Sequence, residues 1–408
     1  MLKHEHSWPD GHWDWPIHVS HKHGLRCGDM MYVGGQVDLD SRGNVQHPND
    51  LTAQTAAVMA SIGKVLAGFG AGLQHVVKLT AFYQNDGSGD EMAFLADVGR
   101  HLPKGARPVI TAVPVPALAY PGMIVEIAAF AMRGRDGKDL PRKSVDVPGV
   151  AKLPAPFAHG LRCGEMIFTS GLSAIEANGV IKHPGDLLAQ SRFVMEQLGE
   201  VLGTFGANHD DSVKLNIYYT GGGKFEDWQG AARVRAGYFT EPGPAATGIP
   251  VPRHANGDLC TKIELIAMLG EDGKRLPRQH IWPKEHWDWP IHLPYKHGIK
   301  CGNMIFIGGQ VALTSKGEVI KPGQMVEQTK IAMEYIRRVL DGFSAKFDDV
   351  VNVLTFYEGG ASADTLHDNL KVRSDCYTEP GPTSTGIPFP FLAYQSMVIE
   401  IEIIAMME

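Results

Sequence analysis

The chain predicts an α+β architecture: three copies of one fold, each a mixed sheet with two helices on one face, arranged as an intramolecular pseudo-trimer. Three observations carry this. His-Trp-Asp-Trp-Pro-Ile-His stands at 12–18 and again at 286–292, a spacing of 286 − 12 = 274 that also links Cys27 to Cys301 and Glu126 to Glu400. A third copy, without the tryptophan segment, begins at His159, which lies 159 − 23 = 136 residues after His23 and 297 − 159 = 138 before His297. Repetition at a fixed period marks repeated structural units. Last, each copy shows the same order of periodic segments, and a sheet with helices on one face leaves its other face to be buried. Packing against the other copies in a closed ring does so.

In the first copy, Met30–Val37 reads as a strand, with Gly34 and Gly35 permitting close backbone approach. Ser41-Arg42-Gly43-Asn44 is a turn. From about Asp50 to Phe69 the apolar residues follow helical spacing, and Gly70 closes the helix. Val76–Tyr83 alternates and is partly β-branched, hence a strand. A weaker helix covers about Gly89–His101, and strands at about Val109–Pro116 and Met123–Met132 end the unit. The order recurs at 166–173, 185–205, 211–219, 225–240, 245–252 and 259–268, then at 304–312, 323–343, 349–357, 362–378, 383–390 and 397–406. The units are placed at 1–135, 148–270 and 278–408, with Arg133–Val147 and Gly270–Pro283 as linkers rich in Lys, Asp and Pro.

Hydrophobic content of 44% with 20% charged residues describes a soluble globular chain. With 38 Lys and Arg against 45 Asp and Glu, the net charge of −7 argues against nucleic acid or an anionic membrane as partner. No apolar run approaches membrane-spanning length, and the start Met1–His6 lacks a signal peptide's apolar core. Five cysteines do not make a disulfide framework. A cytoplasmic protein is expected, acting on a small molecule, with further self-association left open.

Several segments carry a family signature: Cys-Gly-Asp-Met-Met-Tyr-Val-Gly-Gly-Gln at 27–36, the helix with Gln54, Asp-Asp-Val-Val-Asn-Val at 348–353, Tyr-Thr-Glu-Pro-Gly-Pro-Thr-Ser-Thr at 377–385 and Ile399–Ala405. Through them the chain resembles the RidA/YjgF/UK114 family of enamine/imine deaminases, over nearly all of each repeat. The resemblance implies a RidA-like (chorismate-mutase-like) fold and sites between units, since ordinary members are single-repeat chains that assemble as trimers. It implies that the water-positioning glutamate is Glu126 and Glu400, replaced by Lys262 in the middle repeat. The arginine that clamps the substrate carboxylate in the family falls on Ile110, Ala246 and Ser384. The family's serine survives only as Ser170, and its tyrosine only as Tyr295, with His21 and Phe157 at the other two positions.

Glu126 and Glu400 lie on late strands of otherwise apolar pattern, where a carboxyl beside an apolar cleft acts as general base or acid, the alternative being an outward-facing strand residue. The tryptophan segments offer Asp14 with His18, and Asp288 with His292, as proton shuttles. Trp13, Trp15, Trp287 and Trp289 are read as walls of a substrate pocket or, equally, as a clamp across a neighbouring repeat. Pocket positions are also assigned to Gln36, Gln310, Tyr120, Tyr394, Ser384, Gly35 and Gly309, and backbone N–H groups near Gly34-Gly35 and Gly308-Gly309 could hold developing negative charge. His23, His159 and His297 are read as turn histidines that maintain the fold, and Cys27, Cys163 and Cys301 as buried filler. No organic cofactor motif and no recognised metal-ligand spacing appear.

The function expected is hydrolysis of a C–N bond in an enamine, imine or cyclic amide of a small metabolite, with Glu-activated water at clefts between repeats. Two alternatives stand beside it. One is a ring-opening amidohydrolase resembling the cyanuric acid hydrolase/barbiturase group, for which Lys78 and Lys214 recur but Asn352 breaks the series. The other is a non-catalytic metabolite-binding protein that has lost the carboxylate clamp.

Overall fold

The computed structural model describes residues 2–85, 87 and 89–407. The first repeat comprises β1 (His4–Ser7), β2 (Gly24–Cys27), β3 (Met30–Gln36), α1 (Leu51–Ala67), β4 (Val76–Gln84), α2 (Glu91–Arg100), β5 (Val109–Val115) and β6 (Val125–Met132). The second comprises β7 (Arg142–Val145), β8 (Gly160–Cys163), β9 (Met166–Thr169), β10 (Leu172–Ser173), α3 (Leu187–Gly203), β11 (Ser212–Thr220), α4 (Phe225–Ala236), β12 (Ala245–Val251) and β13 (Thr261–Met268). The third comprises β14 (Arg278–Ile281), β15 (Gly298–Cys301), β16 (Met304–Val311), α5 (Met325–Gly342), β17 (Val350–Glu358), α6 (Asp364–Ser374), β18 (Thr383–Phe389) and β19 (Ile399–Met406).

Each repeat is one mixed sheet with two helices. In the first the strand order is β1-β2-β3-β6-β4-β5, antiparallel except for the parallel β4–β5 pair, and the third repeats it as β14-β15-β16-β19-β17-β18. The second differs where Ser170-Gly171 interrupts its inner strand, leaving β10 as a separate two-residue pairing on β13. The expected helices and long strands are all found. The segments read as linkers differ: each ends in an edge strand, β7 or β14, which pairs with the first strand of the following repeat. Its short alternation amid Lys, Asp and Pro hid it.

One buried glutamine per long helix ties helix to sheet. Gln54 donates to the Gly122 carbonyl at 2.7 Å and accepts from the Ile124 N–H at 2.9 Å. Gln190 and Gln328 make the same pair of bonds to Asp258 with Cys260 and to Ser396 with Val398. The loop that leads into the last strand of each repeat is thereby fixed.

The helix-free faces of the three sheets meet on a common axis. Cys27, Tyr32, Cys163, Phe168, Cys301 and Phe306 contribute to one apolar cluster drawn from all three repeats. Ring closure is visible in the strand contacts: β5 meets β9, β12 meets β16, and β18 meets β3. Along the axis lies a set of buried ion pairs that runs in one direction around the ring. Lys78 of the first repeat pairs with Glu264 of the second at 2.8 Å, and Lys214 of the second forms an ion pair with Glu402 of the third at 2.8 Å. At the third position Asn352 takes the place of the lysine, and the equivalent of the glutamate in the first repeat is Ala128. Both charges of that pair are absent together, so no buried charge is left alone.

Removing one partner of a buried pair strands the other. Lys214→Asn alone is expected to cost about 3–5 kcal/mol. The double substitution Lys214→Asn with Glu402→Ala, which copies the natural neutral pair, is expected to recover most of that loss in chemical denaturation.

Candidate active sites at the seams

Three seams result, between repeats 3 and 1, 2 and 3, and 1 and 2. At the 3–1 seam a cavity is lined by Trp13, Trp15, Gly35, Tyr120, Glu126, Leu366, Leu370, Arg373, Ser384 and Gly386 among others. At the 2–3 seam the corresponding cavity is lined by Trp287, Trp289, Gly309, Tyr394, Glu400, Trp228, Ala232, Arg235, Ala246 and Gly248, with Tyr295. The second is the roomier, about 70 Å³ against about 30 Å³. The tryptophans, the tyrosines and the glutamates named from the sequence thus share two cavities, and Ser384 lies in one of them.

Both glutamates are buried, and desolvation raises each carboxyl from its ordinary range to about 8. The glycines explain how the carboxyls fit. A Cβ on Gly35 would collide with the Glu126 carboxylate, and one on Gly309 with that of Glu400. The preceding glycines let backbone meet backbone: a Cβ on Gly34 would crowd Ser384, and one on Gly308 would crowd Ala246, across each seam. The expected oxyanion role for these N–H groups is corrected. Gly34 and Gly308 donate to the His23 and His297 carbonyls at 3.0 Å. Gly35 donates to Thr385 Oγ1 at 2.8 Å and Gly309 to Thr247 Oγ1 at 2.9 Å. All four are consumed by the fold.

The tryptophan segments are anchored beneath the walls they supply. Gln36 Oε1 accepts from His12 Nε2 at 2.7 Å and from Trp13 Nε1 at 3.2 Å. Gln310 accepts from His286 and Trp287 at 2.8 and 3.1 Å. Both glutamines are fully buried. Their role is to hold the indoles, which corrects the reading of Gln36 and Gln310 as pocket-lining residues. His23 and His297 complete the anchor by bonding the Trp13 and Trp287 carbonyls, and in the middle repeat His159 bonds the Ala151 carbonyl. Burial holds the His23 imidazole down at about 3, so it is neutral. Trp15 and Trp289 stack on these rings with interplanar angles of 7° and 8°.

The expected proton shuttles lie elsewhere. His18 is exposed and faces Glu379 at 3.4 Å; His292 is exposed and faces Glu241 at 3.0 Å. Asp14 and Asp288 accept from the N–H of the residue that follows each, at 2.7 Å, and so shape the turn of the segment. These four side chains are not among the residues lining either cavity.

The sequence reading missed two arginines. On α6 the buried stripe runs Leu366, Asn369, Leu370, Arg373; on α4 it runs Trp228, Ala231, Ala232, Arg235. Each arginine occupies the last position of an i, i+3, i+4, i+7 core stripe, which is the signal that could have revealed it. Arg373 Nη1 donates to Ser384 Oγ at 3.0 Å, the position where the family's arginine was expected and not found. A guanidinium therefore reaches this region from a helix. The equivalent residue in the first repeat is Gly99.

The 1–2 seam has none of this equipment. Lys262 stands where the glutamate would be, and its ammonium bonds Glu91 and the Ala112 carbonyl, both at 2.6 Å. Among the described residues no group of three or more His, Cys, Asp or Glu side chains is placed to hold a metal ion, and no helix is long and apolar enough to cross a membrane. Lys78 and Lys214, weighed as catalytic lysines, are instead held in the axial ion pairs.

The sequence matches the family described as Endoribonuclease L-PSP three times, over residues 17–133, 151–269 and 290–407. A RutC family protein of Pyrococcus abyssi is 34% identical over 119 residues, covering 28% of this chain and 87% of its own. Protein mmf2 of Schizosaccharomyces pombe, described as mitochondrial, is 28% identical over 116 residues, covering 28% of this chain and 88% of its own. Among solved structures a chorismatase matches with a TM-score of 0.57 at 13% identity, covering 81% of this chain and 93% of its own. That likeness spans all three repeats and concerns the fold.

The anchor can be tested by itself. Gln310→Leu leaves the donors of His286 and Trp287 without an acceptor, at roughly 1–3 kcal/mol each. The expected result is a loss of about 2–5 kcal/mol in denaturation together with a shift in tryptophan emission.

Proposed function

This chain belongs to the Endoribonuclease L-PSP family, of the RidA/YjgF type, and we propose that it is a hydrolase acting on a C–N bond of a small unsaturated metabolite at the 3–1 and 2–3 seams. The observation that carries this reading is the buried carboxyl of Glu126 and Glu400. Held at about 8, it is largely neutral near pH 7 and is a proton donor inside an apolar cavity.

With an imine, the chemistry balances as C=NH plus water giving C=O plus ammonia. The neutral carboxyl gives its proton to the imine nitrogen as water adds to the carbon. The resulting carboxylate takes a proton from the added water and passes it to nitrogen; ammonia then leaves as the hydroxyl proton returns to the carboxylate, which forms C=O and restores the neutral acid. Trp13 and Trp15, or Trp287 and Trp289, wall the unsaturated group from solvent. Arg235 contributes positive potential at the 2–3 seam, where negative charge would sit on a substrate. The 1–2 seam, with Lys262 ion-paired and no tryptophan segment, takes no part. A nuclease reading fits poorly: the chain is acidic, and cavities of about 70 and 30 Å³ do not admit a polynucleotide.

The test uses ammonia release from imines generated in situ by an L-amino-acid oxidase from aromatic and aliphatic amino acids, with cyclic amides in parallel. Glu126→Gln combined with Glu400→Gln is expected to lower turnover at least a hundredfold; undiminished turnover would refute the assignment. The pH profile provides a second check. Because each carboxyl is raised from 4.5 to about 8, its active protonated form persists through neutrality. kcat/KM is expected to be flat from pH 6 to 7 and to fall above about 8; a rise with pH across that window would require the carboxylate as base. The same shift has a stability counterpart. The fold favours the neutral form, so wild type loses stability relative to the double Gln variant as pH rises from about 4.5 to 8.

A further inference from the structure

The two equipped cavities are not equivalent, and the difference lies around their arginines. At the 3–1 seam the protein engages all three nitrogens of Arg373. Its Nε and Nη2 donate to Asn369 Oδ1 at 3.0 and 2.8 Å, and its Nη1 donates to Ser384 Oγ at 3.0 Å. At the 2–3 seam both acceptors are missing, because Asn369 corresponds to Ala231 and Ser384 to Ala246. Arg235 is 3% exposed, yet among the described residues its Nε has no acceptor and its Nη1 reaches Ser191 Oγ only at a long 3.4 Å. Among the described residues it forms no ion pair with a carboxylate, and its neutral neighbour is the Tyr295 hydroxyl, which lies within its hydrogen-bonding reach.

The orphaned donors extend around the same cavity. Trp228 Nε1 and the hydroxyl of Tyr394 are buried without partners among the described residues. In the 3–1 cavity the counterpart of Tyr394 is satisfied, since the Tyr120 hydroxyl meets His367 Nε2 at 3.1 Å. A buried cation and two buried donors without acceptors are costly in an otherwise apolar, aromatic-lined space. An acceptor-rich anion would relieve that cost, and a guanidinium matches a carboxylate in shape as well as charge.

We propose that the 2–3 cavity is the chain's site for a small planar aromatic carboxylate, with Arg235 as its counter-charge, and that the 3–1 cavity serves an uncharged ligand. This rests on the reading of both seams as ligand sites and is independent of any turnover there. The fused chain therefore carries two sites of different specificity rather than two copies of one.

The test is calorimetry on the full chain with benzoate, and with benzamide as its uncharged counterpart. One benzoate per chain is expected, with benzamide binding at least tenfold more weakly. Arg235→Gln should abolish benzoate binding. Because a substitution of that buried residue could impair folding, a second variant keeps the arginine: Ala231→Asn with Ala246→Ser installs the two acceptors found at the other seam and should weaken benzoate at least tenfold. The reverse exchange, Asn369→Ala with Ser384→Ala, frees Arg373 and should raise the stoichiometry towards two. Two equal sites in wild type, equal affinity for benzamide, or benzoate binding untouched by Ala231→Asn with Ala246→Ser would each overturn the proposal. Since Glu400→Gln leaves Arg235 in place, benzoate binding by that variant separates failure of this inference from failure of the hydrolase assignment.

Discussion

A sheet covered by helices on one face only has a second face that water must not reach, and in this chain that constraint governs everything else. Each repeat supplies the missing cover for its neighbours, so the apolar cluster on the axis belongs to none of them alone. Closure fixes the seams, and the seams fix where side chains from different repeats can meet. The ion pairs on the axis give the ring its direction: each lysine faces the glutamate of the next repeat. Buried pairs of this kind contribute little net stability but penalise any arrangement that separates them, which suits a role in selecting one order of packing.

The same geometry explains why the 3–1 and 2–3 seams, among the described residues, pair a cavity with a buried acid. A working seam draws a glutamate, a tryptophan segment and a tyrosine loop from one repeat and an arginine helix from the other. The 1–2 seam has lost contributions from both sides: Lys262 for the glutamate, Asn256 for the tyrosine, no tryptophan segment, and Gly99 for the arginine. With Glu91 in place to neutralise Lys262, that seam holds an ion pair where the other two hold a buried acid.

Much of this was legible in the sequence because it is written in period and repetition. Helical and strand spacing located the principal elements, and the offsets of 274 and 136 exposed the three units. Glu126 and Glu400 stood out as carboxyls in apolar strands, and the pairing of Tyr120 and Tyr394 with the tryptophan-bearing repeats placed them in the cavities. What stayed hidden depends on contacts between residues far apart in the chain. Nothing local says that Gln36 spends its oxygen on His12 and Trp13, or that Thr385 from another repeat claims the Gly35 N–H. His18 and Asp14 looked like chemistry because they adjoin indoles in sequence, but neither lines a cavity. The arginines were overlooked because the search followed a position on a strand, whereas Arg235 and Arg373 arrive at the cavities from helices, disguised as the last member of an apolar stripe.

Fusion of the three units is what permits the asymmetry. In a ring of identical chains every substitution appears three times, so a lysine lost on the axis would leave three buried glutamates unpaired, and a glutamate lost from a site would silence all three sites. In one polypeptide the changes are independent. Asn352 and Ala128 could replace a single ion pair, Lys262 could close a single seam, and Ala231 with Ala246 could unburden a single arginine. Each change is tolerable because the rest of the ring keeps its charge balance and its packing. A buried acid, an under-satisfied guanidinium and an orphaned hydroxyl all cost stability, and concentrating them at particular seams lets the remaining interfaces offset that cost. Divergence between sites is then the natural consequence of joining the repeats.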